Sequence, residues 1–314
     1  MIRMQHALLT AVANELRSRH KASRTEQSID AIARRLEPAL RRRFLDAVQR
    51  ASSRVDIEAL ANAIQANQLT QAEMATKLRE WPETYGGLAI DLRAGFMAGA
   101  ALAYDVIDGS AFKLRFDLVN PHSVQYATQH MPKITQGYVA DAKKIIADIT
   151  RQAVSGKYTP RDAAKLIKDY IGLTPRSVTA VENYKAALIG DGISGERLDT
   201  KVARYADQLL KSRALTIART EIIQAEQAGQ RALWDEAAKD GIFDRHTATR
   251  IWHVSQDERL CPLCAPMEGQ EIPYGGLYES PELGSVDVFG EPLERTNMHP
   301  NCRCYEELNM EGAA

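Results

Sequence analysis

The sequence predicts a mainly α chain closed by a small module of mixed structure. Two observations carry this. Apolar residues recur at three- and four-residue steps from the start to about residue 240. Beyond Gly241 that periodicity stops, and glycine, proline and turn residues take over. Three segments are expected: a helical region over 1–111, a central helical domain over 112–245, and a module of short strands and loops over 246–314.

The helical elements can be placed in order. Leu8, Leu9, Val12 and Leu16 form one apolar stripe, and Ile29, Ile32, Ala33, Leu36 and Leu40 a second. Pro38 falls inside the second stripe and should bend or divide that helix. A helix pair is expected between Val55 and Trp81, broken near Asn67-Gln68. A helix rich in small residues should follow from Leu88 to Val106, with Gly95 and Gly99 permitting close packing. Phe112–Val119 reads as a short strand or extended linker. Thr159-Pro160 and Thr174-Pro175 each pair a capping hydroxyl with a proline at the first helical position. A loop over Gly190–Gly195 should precede two helices, Leu198–Lys211 and Ala214–Lys239, the last closed by Asp240-Gly241. Arg250-Ile251-Trp252-His253-Val254 reads as a strand.

The formal net charge of -1 conceals an asymmetry. Residues 1–50 hold 11 Lys/Arg and 5 Asp/Glu, a net +6, including Arg41-Arg42-Arg43. Residues 251–314 hold 3 Lys/Arg and 12 Asp/Glu, a net -9. The basic helices therefore suit weak, sequence-independent contact with DNA, whereas the acidic module would repel phosphate. The arginine cluster read blandly is a solvated helix face. No apolar run is expected to span a membrane, and Met1–His6 lacks a signal-peptide pattern, so a cytoplasmic, reducing setting is expected.

Such a module holds too little apolar sequence to support itself and needs a staple. All four cysteines lie within it: Cys261, Cys264, Cys302 and Cys304. Cys261-Pro262-Leu263-Cys264 and His299-Pro300-Asn301-Cys302 share the form ligand-Pro-x-Cys. Two such knuckles offer four soft or borderline donors, a set that suits one tetrahedral, structural zinc per chain. The expected ligands are Cys261, Cys264, His299 and Cys302. Cys304 is an alternative ligand, leaving open an all-cysteine set with His299 outside it.

Other motifs fail on context. Gly190–Gly195 matches G-x-G-x-x-G, but a helix and not a strand precedes it. The zinc-deaminase reading of Cys261–Cys264 lacks its upstream H-x-E. An HNH-like nuclease, suggested by Asn297, His299 and Asn301, would need a histidine base free of structural metal and a surface that tolerates DNA.

Several strings together resemble the Mu F-like head morphogenesis family. They are Ile217-Ala218-Arg219-Thr220-Glu221 with Ala225, Gly229 and Trp234; Trp252 with Asp257 through Cys264; Gly269; and His299-Pro300-Asn301-Cys302-Arg303-Cys304. The resemblance extends over about residues 112–304. Gln227 departs from it, standing where the family often has asparagine, as does the stretch before Pro292, which lacks the usual double proline. The resemblance implies a minor head protein of a tailed bacteriophage with no catalytic residues. It would be associated with the portal protein and other proteins of the inner capsid, in the virion head and, during assembly, in host cytoplasm. It would act in head assembly and DNA packaging or ejection. Arg219, Thr220 and Glu221 are expected to tie their helix to the zinc module through Asp257 and Arg259, with a partner-binding role as the alternative.

Overall fold

A computed structural model describes residues 24–106, 121–255, 260–288 and 290–310. The stripe Leu8–Leu16, the stretch Phe112–Val119 and the boundary between 111 and 112 lie outside the described residues. The chain forms two compact units, each assembled from separated stretches. One comprises residues 1–38, 91–126 and 217–314, and the other residues 39–90 and 127–216.

The described chain begins with α1 (Arg24–Ser53), which passes through Pro38 undivided. The missing proline N–H removes one backbone bond from a helix 30 residues long, and the remaining turns hold it. Then follow α2 (Ile57–Gln65), α3 (Leu69–Ala75), α4 (Trp81–Tyr85), α5 (Ala89–Val106) and α6 (Pro121–Val154). The break between α2 and α3 falls where expected, at Asn67 with a left-handed φ of 54°. α7 (Pro160–Asp169) and α8 (Pro175–Gly190) start as their caps dictate: Thr159 accepts from the Asp162 N–H and Thr174 from the Ser177 N–H. α9 (Gly195–Lys239) is a single helix of 45 residues, where two were expected. Ser212-Arg213 carries no glycine or proline, so nothing local interrupts the hydrogen-bond ladder.

In the unit of residues 39–90 and 127–216, α2 packs on α7. Phe44, Tyr85 and Tyr138 form an aromatic cluster with centroids 5.0–5.8 Å apart. Arg213 lies over Tyr138 and bonds Asp141 (2.7 Å) and the Gly172 carbonyl (3.0 Å).

The other unit is built on a close crossing of α5 with the second half of α9. A Cβ on Gly99 would lie 1.9 Å from the Glu226 carbonyl oxygen, and one on Gly229 would lie 1.8 Å from that of Phe96. The obstacles are backbone atoms, so only glycine lets the helices meet here. Residues 78–104 are long and apolar enough to qualify as a candidate membrane span. They alternate α-helix with 3-10 turns, and Trp81, Tyr85, Leu88, Leu92 and Phe96 are buried in protein.

The sequence after α9 forms an antiparallel sheet in the order β2-β1-β3, made of β1 (Thr249–His253), β2 (Glu271–Pro273) and β3 (Tyr305–Asn309). β1 lies one residue earlier than the expected strand. Its register pairs Arg250 with Ile272 on one side, and Trp252 with Glu306 on the other. Trp252, Leu260, Met267, Tyr278, Leu293 and Met298 bury their side chains together with three of the cysteines. A second cluster, including Leu233, Trp234, Phe243, Tyr274 and Leu308, joins the sheet to α9.

Candidate metal centre

The first knuckle is a turn that supports itself. The Cys264 N–H donates to the Cys261 Sγ (3.3 Å), and the Ala265 N–H to the Cys261 carbonyl (3.1 Å). The second is closed by the Cys302 N–H donating to the His299 carbonyl (3.1 Å). Asn301 within it takes a left-handed φ of 60°.

The topology places the two knuckles face to face. The His299 Nε2 is 2.9 Å from the Cys261 Sγ and 3.0 Å from the Cys264 Sγ, and the Cys264 and Cys302 sulfurs are 3.7 Å apart. The other ring nitrogen, Nδ1, lies 2.8 Å from the Pro300 carbonyl. A proton there leaves the Nε2 lone pair aimed at the thiols, the arrangement in which histidine binds a metal. Two triads overlap at Cys264: Cys261, Cys264 and His299, and Cys264, Cys302 and Cys304. Within each, the donor atoms lie within 4.8 Å of one another. All five residues expected as donors are thus brought together, and the cluster could bind a metal ion.

The donors fit such an ion. Zn–S bonds of about 2.3 Å and Zn–N bonds of about 2.0 Å in a tetrahedron place neighbouring sulfurs about 3.8 Å apart. The observed sulfur separation of 3.7 Å matches, and the histidine sits slightly closer. Cys264, Cys302 and Cys304 are buried, while Cys261 and His299 are partly so. The electrostatics split the cysteines into two pairs: bonding to the Cys261 sulfur pushes the Cys264 thiol up and burial pushes Cys304 up, while Cys261 and Cys302 are brought down. Hydrogen bonding from Cys264 and then from His299 brings the Cys261 thiol down to about 5, against the resistance of burial. Cys302 is held well below the thiol range by its bonds with Cys264 and Cys304. Burial opposes a charge on His299, yet bonds with Cys261 and Cys302 raise it to about 11. Cys261 and Cys302 thus carry negative charge beside a histidine whose positive charge they stabilise.

Several residues around this cluster escape sequence reasoning. The Gln227 side-chain amide on α9 is buried and donates to the Thr296 Oγ1 (2.8 Å) and the Cys304 carbonyl (2.9 Å). Thr220, two turns earlier, accepts from the Asn301 N–H (2.9 Å). The polar contacts of α9 with the stretch that carries the second knuckle therefore include these two residues. Arg219 instead bonds Glu37 with its Nε (3.1 Å) and Nη2 (3.0 Å), and Asp257 and Arg259 lie outside the described residues. Thr220 and Gln227 stood within or beside the string that carries the family resemblance; no rule of spacing distinguished their role from that of their neighbours.

Arg250 is another such residue. Fully buried on β1, it bonds the Glu306 carboxylate (2.6 Å) and the carbonyls of Tyr274 (2.8 Å), Gly276 (2.6 Å) and Glu294 (2.6 Å). Nearby, His253 places Nδ1 3.1 Å from Glu268, which also accepts from the Val254 N–H. That carboxylate raises the affinity of His253 for its proton.

No curated protein and no solved structure matches the chain. Residues 144–306 match the family model described as Phage Mu protein F like protein, just over half of the sequence. The matched span takes in the end of α6, all of α7, α8 and α9, both knuckles and the start of β3. The chain belongs to the Mu F-like family of phage head morphogenesis proteins.

Proposed function

We propose that this chain is a structural, non-catalytic minor head protein of a tailed bacteriophage. It would associate with the portal protein and the inner capsid and act in head assembly and DNA packaging or ejection. Membership of the family is the observation that supports this reading most directly. In the same reading, one zinc ion per chain is bound by Cys261, Cys264, His299 and Cys302, with Cys304 as the alternative fourth ligand. Such a site is filled by protein donors, leaving no open position for a substrate, and its chemistry is to hold the module together. His299, the residue an HNH-like nuclease would need as a free base, directs its Nε2 at two thiols. Co-expression with the portal protein of the same phage is the direct test. The chain should co-sediment with portal rings and be detectable in purified heads. Recovery only as free protein, with none in heads, rejects the portal assignment.

Contact with packaged DNA is assigned to the basic N-terminal region. Arg42 and Arg43 lie exposed on α1, a suitable position for meeting phosphate. DNA retention by the full chain should be weak at physiological salt, stronger at low salt, and reduced in an Arg41/Arg42/Arg43→Ala variant. Equal retention by the variant at both salts places the contact elsewhere.

A further inference from the structure

The two knuckles differ in what holds them. The first is steadied by its own backbone, through the amide of Cys264 on the sulfur of Cys261. The second contains Asn301 in the left-handed region, a conformation asparagine tolerates better than other non-glycine residues. Further bonds to this stretch come from a different element. Thr220 and Gln227 are seven residues apart on α9 and so lie on one face of it. Thr220 takes the Asn301 N–H, fixing the middle of the turn. Gln227 is 1% exposed and spends both amide protons on the ends of the same stretch, at Thr296 and Cys304. Thr296 completes the clamp: its hydroxyl donates to the Cys304 carbonyl (3.0 Å). Every donor that the second knuckle offers, His299, Cys302 and the alternative Cys304, lies between or at these anchor points.

We infer that Thr220 and Gln227 are positioning residues for the metal centre, holding the stretch 296–304 in the geometry that binds the ion. The inference rests on the metal reading proposed above. α9 then has two tasks, a packing task through Trp234 and Leu233 and a ligand-orienting task through a polar pair two turns apart. Buried hydrogen bonds that orient ligands typically change metal affinity by about 10–100-fold when removed.

The experiment follows release of the metal from the loaded full chain. Zn²⁺-loaded protein is mixed with excess chelator, and Co²⁺-loaded protein is read by its thiolate charge-transfer and ligand-field bands. Thr220→Val and Gln227→Met keep side-chain volume and remove the polar contact. Each should speed release on the order of 10–100-fold and shift the Co²⁺ bands. Thr220→Ser keeps the acceptor and should release at the wild-type rate. Leu308→Ala thins the apolar contact between β3 and α9 without touching the knuckle, and it should also release at the wild-type rate. If Leu308→Ala releases as fast as Gln227→Met, or if the polar variants match wild type, the two residues only stabilise the module and the inference is overturned. A wild-type chain that takes up neither Zn²⁺ nor Co²⁺ overturns the metal reading itself, a distinct result from slow release in every variant.

Discussion

Replacing Cys261 by serine should unfold the module and leave the helices standing. Structural zinc sites in small domains contribute about 10–16 kcal/mol of apparent binding free energy, comparable with the whole stability of an ordinary domain. The module of residues 246–310 has a three-stranded sheet and one apolar cluster in which three of the cysteines take part. Without the first ligand that cluster loses its centre. Hydrogen exchange should then show protection lost across β1, β2 and β3 in Cys261→Ser. Far-UV helical signal should fall only slightly, because α2, α7 and the Phe44–Tyr85–Tyr138 cluster pack without the module. Wild-type protein treated with a strong chelator should behave in the same way, and elemental analysis of reduced, untreated protein should give one zinc per chain. Cooperative loss of all helical signal would show that the helices depend on the metal after all, and absence of zinc would exclude the ion.

The second large effect is expected at Arg250. Its guanidinium and the Glu306 carboxylate are each 1% exposed, and the arginine also serves three backbone carbonyls. Arg250→Met leaves a carboxylate buried without its counter-charge, which typically costs about 3–5 kcal/mol. Urea denaturation followed by near-UV circular dichroism should show a loss of that size. The double variant Arg250→Met/Glu306→Leu should regain part of it, since it buries no lone charge. A loss below about 1 kcal/mol in the single variant would mean that the arginine is replaceable and that the metal alone organises the module.

These two features differ in how well the sequence announces them. Cap chemistry is local, so Thr159-Pro160 and Thr174-Pro175 marked their helices to the residue. The metal donors were legible for a related reason: a ligand-Pro-x-Cys knuckle is a short motif whose spacing already carries its geometry. The continuity of α9 was hidden because an amphipathic stripe that shifts phase near Ser212 looks like two helices, whereas the backbone needs only the absence of a breaker. β3 was missed for a different reason. Tyr305-Glu306-Glu307-Leu308-Asn309 has no clean alternation, because Glu306 is buried, and its ion-pair partner Arg250 stands 56 positions earlier. The clamp was half legible: Thr220 stands in the string expected to tie its helix to the module, but its partner Asn301 and the part played by Gln227 show only when the knuckle is seated against them.

The position of Arg250 in the chain also sets an order of events during synthesis. None of its partners precedes it: Tyr274, Gly276, Glu294 and Glu306 are all made later. The metal donors are divided in the same way, with His299 standing 35 positions after Cys264. A ribosome that has just completed β1 has therefore made a guanidinium with no acceptor and, shortly after, half of a metal site. Contacts this distant in sequence form slowly, because the loop between them must close before any contact rewards it. The neighbouring helices, whose bonds are local, can form while the chain is still being extended. During that interval the exposed face of α9, with Thr220, Gln227 and Trp234, is a finished template awaiting its cover. The module is thus expected to be the last part of the protein to mature, and metal supply at that moment to govern how much of it does.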